Sequence, residues 1–158
     1  MNKDINCKVF VGGSESIGRL PDKVISYLES LLAQEAPLIV GDGYGIELAA
    51  QNYFHAKGYR NVTVYHQGES CRYNVGEWEK RYIPPSQYVS DHKLQTPAIT
   101  AMINDCDCAL IAWDAHSQNV QSYICELRKT GKALFIYRED IDSIRVIRKK
   151  HTLKSERR

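Results

Sequence analysis

The stretch LIVGDGYGIELAA, residues 38–50, joins a short apolar run to a segment of helical periodicity through three glycines. Residues 38–40 have the composition of a buried strand, and Ile46, Ala49 and Ala50 fall on one face of a helix. A strand that passes through a glycine-rich turn into a helix is typical of a βαβ unit, whose strands are parallel. This stretch therefore predicts an α/β fold.

The same alternation of strand and helix extends to both sides of this stretch. Short apolar runs predict four more strands, at residues 7–11, 62–65, 108–113 and 133–137. Helices are predicted after Pro21, at residues 97–105, and between Ser117 and Gly131. Residues 66–96 show neither period and are interpreted as a long loop. The pattern predicts a Rossmann-like, three-layer α/β/α domain with a mostly parallel five-stranded sheet.

Length and composition fit one such domain in the cytoplasm. The chain has 158 residues, of which 43% are hydrophobic and 25% charged. Five cysteines, an odd number, indicate reduced thiols. Cys106 and Cys108 are not accompanied by further residues at metal-site spacing, so we expect no metal and no other cofactor. No apolar run approaches the roughly 20 residues of a membrane span, and we expect neither secretion nor a membrane partner.

The formal net charge of +2 is distributed unevenly along the chain. Seven Lys and Arg against Glu156 alone give residues 144–158 a charge of +6, which leaves −4 for the rest. We therefore divide the chain into a domain at residues 1–143 and a basic C-terminal tail at residues 144–158. A negative body argues against a broad nucleic-acid-binding surface, although a nucleic-acid-associated module that uses the tail stays open as an alternative.

The loops that follow the first four predicted strands are the candidate ligand-binding segments, because parallel sheets bind ligands beyond the carboxyl ends of their strands. In the first loop, backbone amides and hydroxyl groups favour a phosphate, and a tight turn is the alternative. The residues concerned are Gly12, Gly13, Ser14 and Ser16. Arg19 and Leu20 replace the Lys and Ser/Thr of a P-loop, and the loop has no G-x-G-x-x-G motif.

The second loop has three alternating glycines, a spacing that favours close approach by a ligand. Its predicted ligand contacts are Gly41, Gly43, Tyr44 and Gly45. Asp42 or Glu47 is expected to accept hydrogen bonds from ribose hydroxyls, or to act as nucleophile or general acid/base in glycosidic chemistry. A helix-capping role for Asp42 is the alternative.

Two further loops combine groups that suit a nucleotide. The segment SCRYNVGEW, residues 70–78, provides a guanidinium fork, an amide and aromatic rings. The segment WDAHSQN, residues 113–119, leads into a helix whose free amides favour a phosphate, with a capping turn as the alternative. The predicted ligand contacts are Arg72, Asn74, Trp113, Asp114, Ser117 and Asn119.

Three phrases, in their order along the chain, resemble the SLOG superfamily of Rossmann-like domains, and within it the small YspA-like bacterial branch. They are GDGYGIE at residues 41–47, GYRNVTVY at 58–65 and AMINDCDCALIAWDAHSQNV at 101–120. The resemblance covers roughly residues 8–137. It implies glycine loops that bind an ADP-ribose-like ligand or a nucleoside monophosphate. Enzymatic members of the superfamily cleave N-glycosidic bonds of nucleotides.

The resemblance also implies which positions contact the ligand, and this chain departs from it at several of them. The matching positions are Gly12, Gly13, Ser14, Gly41, Asp42, Gly45, Arg72, Asn74, Trp113, Asp114 and Ser117. Glu47 stands where the family has Asp, residues 98–99 replace Lys-Asp, and residues 119–120 replace Gly-Thr. The Pro-Gly-Gly-x-Gly-Thr-x-x-Glu motif of the phosphoribohydrolases does not occur in the chain.

These patterns lead to one main functional hypothesis and two alternatives. The main hypothesis is a sensor or sequestering domain that binds a nucleotide-derived small molecule and forms a homo-oligomer. The first alternative is a nucleotide N-glycosidase or deoxyribosyltransferase-like enzyme that uses Glu47 or Asp42. The second is the nucleic-acid-associated module that uses the basic tail.

Overall fold

A computed structural model describes residues 7–85 and 95–148 of the chain. These residues form alternating strands and helices, as the apolar periodicity predicts. In chain order the elements are β1 (Val9–Gly13), α1 (Asp22–Ala33), β2 (Leu38–Gly41), α2 (Ile46–Ala56), β3 (Val62–His66), β4 (Glu79–Tyr82), α3 (Pro97–Asp105), β5 (Cys108–Trp113), α4 (Gln118–Thr130), β6 (Ala133–Arg138) and β7 (Ser143–Ile147).

All seven strands of the described residues belong to one sheet, in the order β4-β3-β2-β1-β5-β6-β7. Each strand is parallel to its neighbours except β7, which is antiparallel to β6. The mostly parallel α/β sheet is therefore confirmed. Helices α1 and α2 pack on one face with Val9 and Val11 of β1, and α3 and α4 pack on the other with Phe10. This arrangement gives the three layers expected of the fold.

The prediction of five strands is wrong, because the sheet has one further strand at each edge. All four residues of β4, with the sequence EKRY, are exposed, and β7, with the sequence SIRVI, contains no fully buried residue. An edge strand pairs on one side only and tolerates charged side chains, so such strands lack the apolar signal used to find the others. Strand β7 also carries the start of the predicted tail into the sheet. Residues 149–158 of that tail lie outside the described residues.

Strands β2 to β4 extend the sheet on one side of β1, and β5 to β7 extend it on the other side. The order of the strands therefore reverses between β1 and β5, which are adjacent and parallel. A crevice beyond the carboxyl ends of two such strands is the usual binding position in open α/β sheets. Here the strands leave the sheet in close contact, since Ser14 N–H donates to the Ala112 carbonyl at 2.9 Å. Gly13 has φ +151°, and a Cβ atom at this position would overlap the Ala112 backbone. Only glycine fits this close approach.

Within residues 7–85 and 95–148, no helix has the length and apolar character needed to cross a bilayer. All five cysteines are free. The Sγ atoms of Cys7 and Cys108 lie 3.6 Å apart.

Candidate functional site

A cleft of about 120 Å³ opens at the carboxyl edge of the sheet. The loop after β2 and the first turn of α2 form one wall, and α3 and α4 form the opposite wall. Its apolar surface comes from Ala98, Ile99 and Met102 of α3. Its polar lining residues are Glu15, Asp42, Glu47, Tyr65, Gln67, Arg72, Thr96, Asn119 and Tyr123. The cleft therefore brings together residues from all four predicted loops or the elements that follow them.

Glu47 supplies a carboxyl group that ionises near neutral pH. It lies in the first turn of α2, and its Oε1 accepts a hydrogen bond from Gly43 N–H at 2.8 Å. Burial raises the pKa of Glu47 to about 7, aided by the charges of Asp42 and Glu15 and opposed by Gly43 N–H and Arg72. Both protonation states are then populated near neutral pH, so this group can donate or accept a proton.

The glycines of the second loop make room for the protein's own groups. A Cβ atom at Gly41 would overlap the Glu47 carboxylate, and one at Gly43 would lie 2.7 Å from Glu47 Oε1. Gly45 has φ +70°, and a Cβ atom there would overlap the backbone of Glu15. Glycine is therefore needed at residues 41 and 43 because the Glu47 side chain packs against them, and at residue 45 because the first loop contacts the second there.

Asp42 fixes the third loop against the second. Its side chain is buried, with the residue 6% exposed, and Oδ2 accepts from the backbone N–H of Arg72 at 2.8 Å. The guanidinium Nη2 of Arg72 lies 3.3 Å from Asp42 Oδ1. Helix α2 begins after Gly45 without a side-chain cap, so Asp42 does not cap it. The carboxylate thus holds Arg72 at the cleft.

Two tyrosines and Arg72 form an aromatic rim beside the cleft, which Arg72 lines and the two tyrosine rings do not. The Tyr44 and Tyr73 rings meet edge to face with centroids 5.5 Å apart. The Arg72 guanidinium lies over the Tyr44 ring, 5.9 Å from its centroid. Tyr44 is 52% exposed although it is a large aromatic residue. The rim therefore offers an accessible flat surface beside the carboxyl groups.

Gln51 is a positioning residue that the sequence analysis missed. It lies on α2 and is fully buried. Its Nε2 donates to the carbonyls of Gly41 and Tyr73, both at 3.0 Å, and its Oε1 accepts from Val75 N–H at 2.9 Å. One amide thus ties the second loop to the third. The only sequence signal was a polar side chain on the apolar face of a helix.

The first and fourth loops meet beside the cleft, around the carboxylate of Asp114. Oδ2 accepts from Ser16 Oγ at 2.6 Å and lies 2.9 Å from Ser117 Oγ. Oδ1 accepts from the backbone N–H groups of His116 and Ser117 at 2.8 and 2.7 Å. Burial alone would raise the pKa of Asp114, but these hydrogen bonds outweigh it and hold the pKa well below its usual range.

The remaining residues of these two loops support the same junction. Ser14 Oγ accepts from Asp114 N–H at 3.0 Å, and the Trp113 indole N–H donates to the Ser117 carbonyl at 3.0 Å. A Cβ atom at Gly12 would contact the ring of Phe10 at 2.8 Å. The first and fourth loops, both predicted to bind a phosphate, are therefore brought together, but Ser14, Ser16, Asp114 and Ser117 are hydrogen-bonded to one another.

Asn74 and Asn119 were both predicted to contact a ligand, and the structure places them differently. Both polar atoms of the Asn74 amide are bonded to the backbone of Trp78, at 2.9 and 3.0 Å. Asn74 thereby closes a turn and lines a separate open groove near β4. Asn119 lines the cleft, while its Oδ1 accepts from Val120 N–H at 3.0 Å.

Tyr65 links the cleft to a polar cluster behind it. Its hydroxyl donates to Asp105 Oδ2 at 2.5 Å, and Arg81 Nη1 lies 3.0 Å from the same oxygen. Burial, together with the bond to Asp105, raises the pKa of Tyr65 well above its usual range, so the phenol stays protonated. Tyr65, like Gln67, Thr96 and Tyr123, was missed because it sits within an apolar or irregular segment.

In the described part of the chain, no group of three or more His, Cys, Asp and Glu side chains is arranged to hold a metal ion. Comparison of the chain with protein-family models, with curated proteins and with solved structures gave no match.

Proposed function

We propose that this protein binds a nucleotide-derived ligand, with the sugar in the cleft and the base against the aromatic rim. The observation that carries the proposal is the meeting of Glu47, Asp42 and Arg72 in one cleft at the carboxyl edge of a parallel sheet, with Arg72 also against the ring of the exposed Tyr44. The resemblance to the SLOG superfamily supports the same ligand class.

The size and chemistry of the cleft suit a sugar. Its volume of about 120 Å³ is below the roughly 300–1,000 Å³ of sites that enclose a drug-sized molecule, so it takes only a small part of a ligand. Ionised carboxylates are acceptors only, and sugar hydroxyls are donors. The apolar surface of Ile99 and Met102 suits the carbon face of the ring.

The rim suits the base of the same ligand. Stacking of a base on an aromatic side chain contributes roughly 1–3 kcal/mol and tolerates every base, because each has a π face. Tyr44 is oriented by Tyr73 and by the Arg72 guanidinium, which is itself held by Asp42. A side chain held in this way loses less rotamer freedom on binding.

Thermal unfolding with a panel of nucleosides, nucleotides, NAD and ADP-ribose tests this proposal. A ligand present at about 100 times its dissociation constant adds about 2.7 kcal/mol of stability. We expect a rise in Tm with at least one of them, and a reduced rise in Tyr44→Ala. Tyr82→Ala is the matched control, since Tyr82 is 47% exposed, lies on β4 and has its ring against His66 rather than against Arg72 or Tyr73. Equal loss of binding in both variants would contradict a role for the rim.

A second candidate function, cleavage of an N-glycosidic bond, is favoured by the pKa of Glu47. As a carboxylate, Glu47 can attack the anomeric carbon while the C–N bond breaks and the leaving base takes a proton from water; the hydroxide so formed then displaces Glu47 from the sugar. As a carboxylic acid, it can instead protonate the leaving base while water attacks the anomeric carbon, and the proton lost by that water restores the carboxylic acid. Its pKa of about 7 makes both states available near neutral pH.

Release of free base, followed by chromatography, tests this second function. We expect Glu47→Gln to abolish release and Glu47→Asp to retain part of it, because aspartate keeps the carboxyl group at a shorter reach. Glu79→Gln on the exposed edge strand β4 is the control and should retain full release. If a ligand binds but no free base is released, the binding function is supported and the enzymatic function is contradicted.

A further inference from the structure

We propose that the ligand carries no phosphate group, and that the cleft takes a nucleoside in preference to the corresponding nucleotide. This inference rests on the proposed function and specifies its ligand class. It is carried by two separate observations, one on the fourth loop and one on the charges of the cleft.

The first observation is that Asp114 already occupies the position of an anion. Its carboxylate takes the donors that a phosphate would use at the meeting of the first and fourth loops, namely the Ser16 hydroxyl and the backbone N–H groups of His116 and Ser117. Ser117 Oγ also lies within hydrogen-bond distance of this carboxylate, at 2.9 Å. A phosphate bound here would have to displace a carboxylate that belongs to the fold.

The second observation is that the cleft itself is acidic. Among its described lining residues, Glu15, Asp42 and Glu47 are carboxylic, and Arg72 is the one cationic side chain. The Arg72 guanidinium is already paired with Asp42 at 3.3 Å. Phosphate groups are commonly bound by Lys or Arg, and this set of lining residues contains no such side chain without a carboxylate partner. At close range a phosphate would also be repelled by the carboxylates.

Both observations favour a ligand with hydroxyl groups and no charge. A nucleoside 5′-hydroxyl can donate to a carboxylate, whereas the oxygens of a phosphate accept only and repel one. Replacing the hydroxyl by a phosphate therefore removes a hydrogen bond and adds repulsion. The expected discrimination is at least about tenfold in dissociation constant.

Calorimetric titration with matched pairs tests the inference on the intact chain. The pairs are adenosine with AMP, inosine with IMP, cytidine with CMP and thymidine with TMP. We expect at least one nucleoside to bind, with its 5′-monophosphate at least about tenfold weaker. A nucleotide that binds as tightly as its nucleoside, or more tightly, overturns the inference but leaves the proposed function standing. If neither member of any pair binds, the inference fails; the proposed function fails with it only if NAD and ADP-ribose also give no rise in Tm.

Asp114→Asn tests the cause of the discrimination. Asparagine removes the charge and keeps an oxygen that can accept from the His116 and Ser117 N–H groups. In the folded variant, we expect the ratio of the two dissociation constants to fall several-fold towards one. Asp107→Asn is the matched control, because Asp107 also accepts a backbone N–H, from Lys8 at 2.8 Å, but precedes β5 at the opposite edge of the sheet. An unchanged ratio in a folded Asp114→Asn overturns the role assigned to this carboxylate.

Discussion

At the residue scale, a carboxyl group that the fold partly removes from water resists ionisation, and Glu47, which is half-buried and lines the cleft, is such a group. Burial raises its pKa from 4.5 to about 7, and the neighbouring Asp42 and Glu15 act in the same direction, against Arg72 and the Gly43 N–H. The folded protein therefore holds this proton over a pH range in which the unfolded chain has released it. This difference links folding stability to pH.

We expect the free energy of unfolding to fall as the pH rises from about 4.5 to about 7, relative to a Glu47→Gln variant. The unfolded state binds fewer protons in this range, so a rise in pH favours it by at most about 3 kcal/mol in total. Glutamine keeps an acceptor for the Gly43 N–H and does not titrate. Urea unfolding of both proteins at several pH values measures the difference.

The control for this prediction is Glu79→Gln, which removes an exposed carboxylate from β4. Its stability should follow that of the wild-type protein over the whole pH range. If the difference between wild type and Glu47→Gln were constant from pH 4.5 to 8, Glu47 would not be the titrating group.

Gln51 gives a second prediction at the same scale. Gln51→Leu leaves the Val75 N–H and the Gly41 and Tyr73 carbonyls without their side-chain partner in a buried site. Buried unsatisfied groups cost about 1–3 kcal/mol each, and partial relaxation makes a total loss of about 2–4 kcal/mol reasonable. Denaturant unfolding measures the loss. Gln121→Leu, an exposed position on α4, should change stability by less than about 0.5 kcal/mol; an equal loss in both would contradict the role of the Gln51 bonds.

At the scale of single elements, apolar periodicity predicts the central strands well and the edge strands poorly. Strand β5 is buried on both faces, and its sequence CALIAW is almost continuously apolar. Helix α3 is found at the predicted residues because Pro97 occupies its first turn and Thr96 caps it, with Thr96 Oγ accepting from Ile99 N–H at 3.3 Å. Strand β4 is exposed throughout, so no local signal distinguishes it from a loop.

The candidate site was predictable to a similar degree. Because the apolar strands are recognisable in the sequence, the loops that follow them could be predicted to hold the site. Asp42, Glu47 and Arg72 lie in or directly after those loops. The contacts made by Gln51 and Tyr65 do not, because each depends on a partner more than twenty residues away in the chain. Sequence spacing within one loop carries no information on such partners.

Strand β7 allows a prediction at the scale of elements. A chain that ends at residue 142 lacks β7 and leaves β6, with the sequence ALFIYR, as an unprotected edge. An apolar edge strand pairs readily with other chains, so this chain should unfold at lower temperature and self-associate. A chain that ends at residue 148 retains β7 and should have the Tm of the full-length protein. Thermal unfolding and size-exclusion chromatography compare the two, and equal behaviour would show that β7 contributes nothing to the fold.

At the scale of the whole molecule, the distribution of charge distinguishes the small-molecule function from the nucleic-acid alternative. Residues 149–158 carry five Lys and Arg against Glu156, so a chain that ends at residue 148 loses a charge of +4. The cleft lies in the remaining part of the chain, and three carboxylic residues line it. The proposed small-molecule function and the nucleic-acid alternative therefore rest on different parts of the chain.

We expect removal of residues 149–158 to leave nucleoside binding unchanged and to abolish any binding of DNA seen at low salt. Binding through Lys and Arg releases counterions from the phosphate backbone, so its affinity falls steeply as salt rises. Because the rest of the chain has a net negative charge, we expect it to retain DNA only weakly. Fluorescence anisotropy with a labelled duplex at increasing salt measures this for both chain lengths. Tight DNA binding by the shortened chain at physiological salt would instead place a nucleic-acid site on the folded domain and favour the nucleic-acid alternative over the small-molecule function.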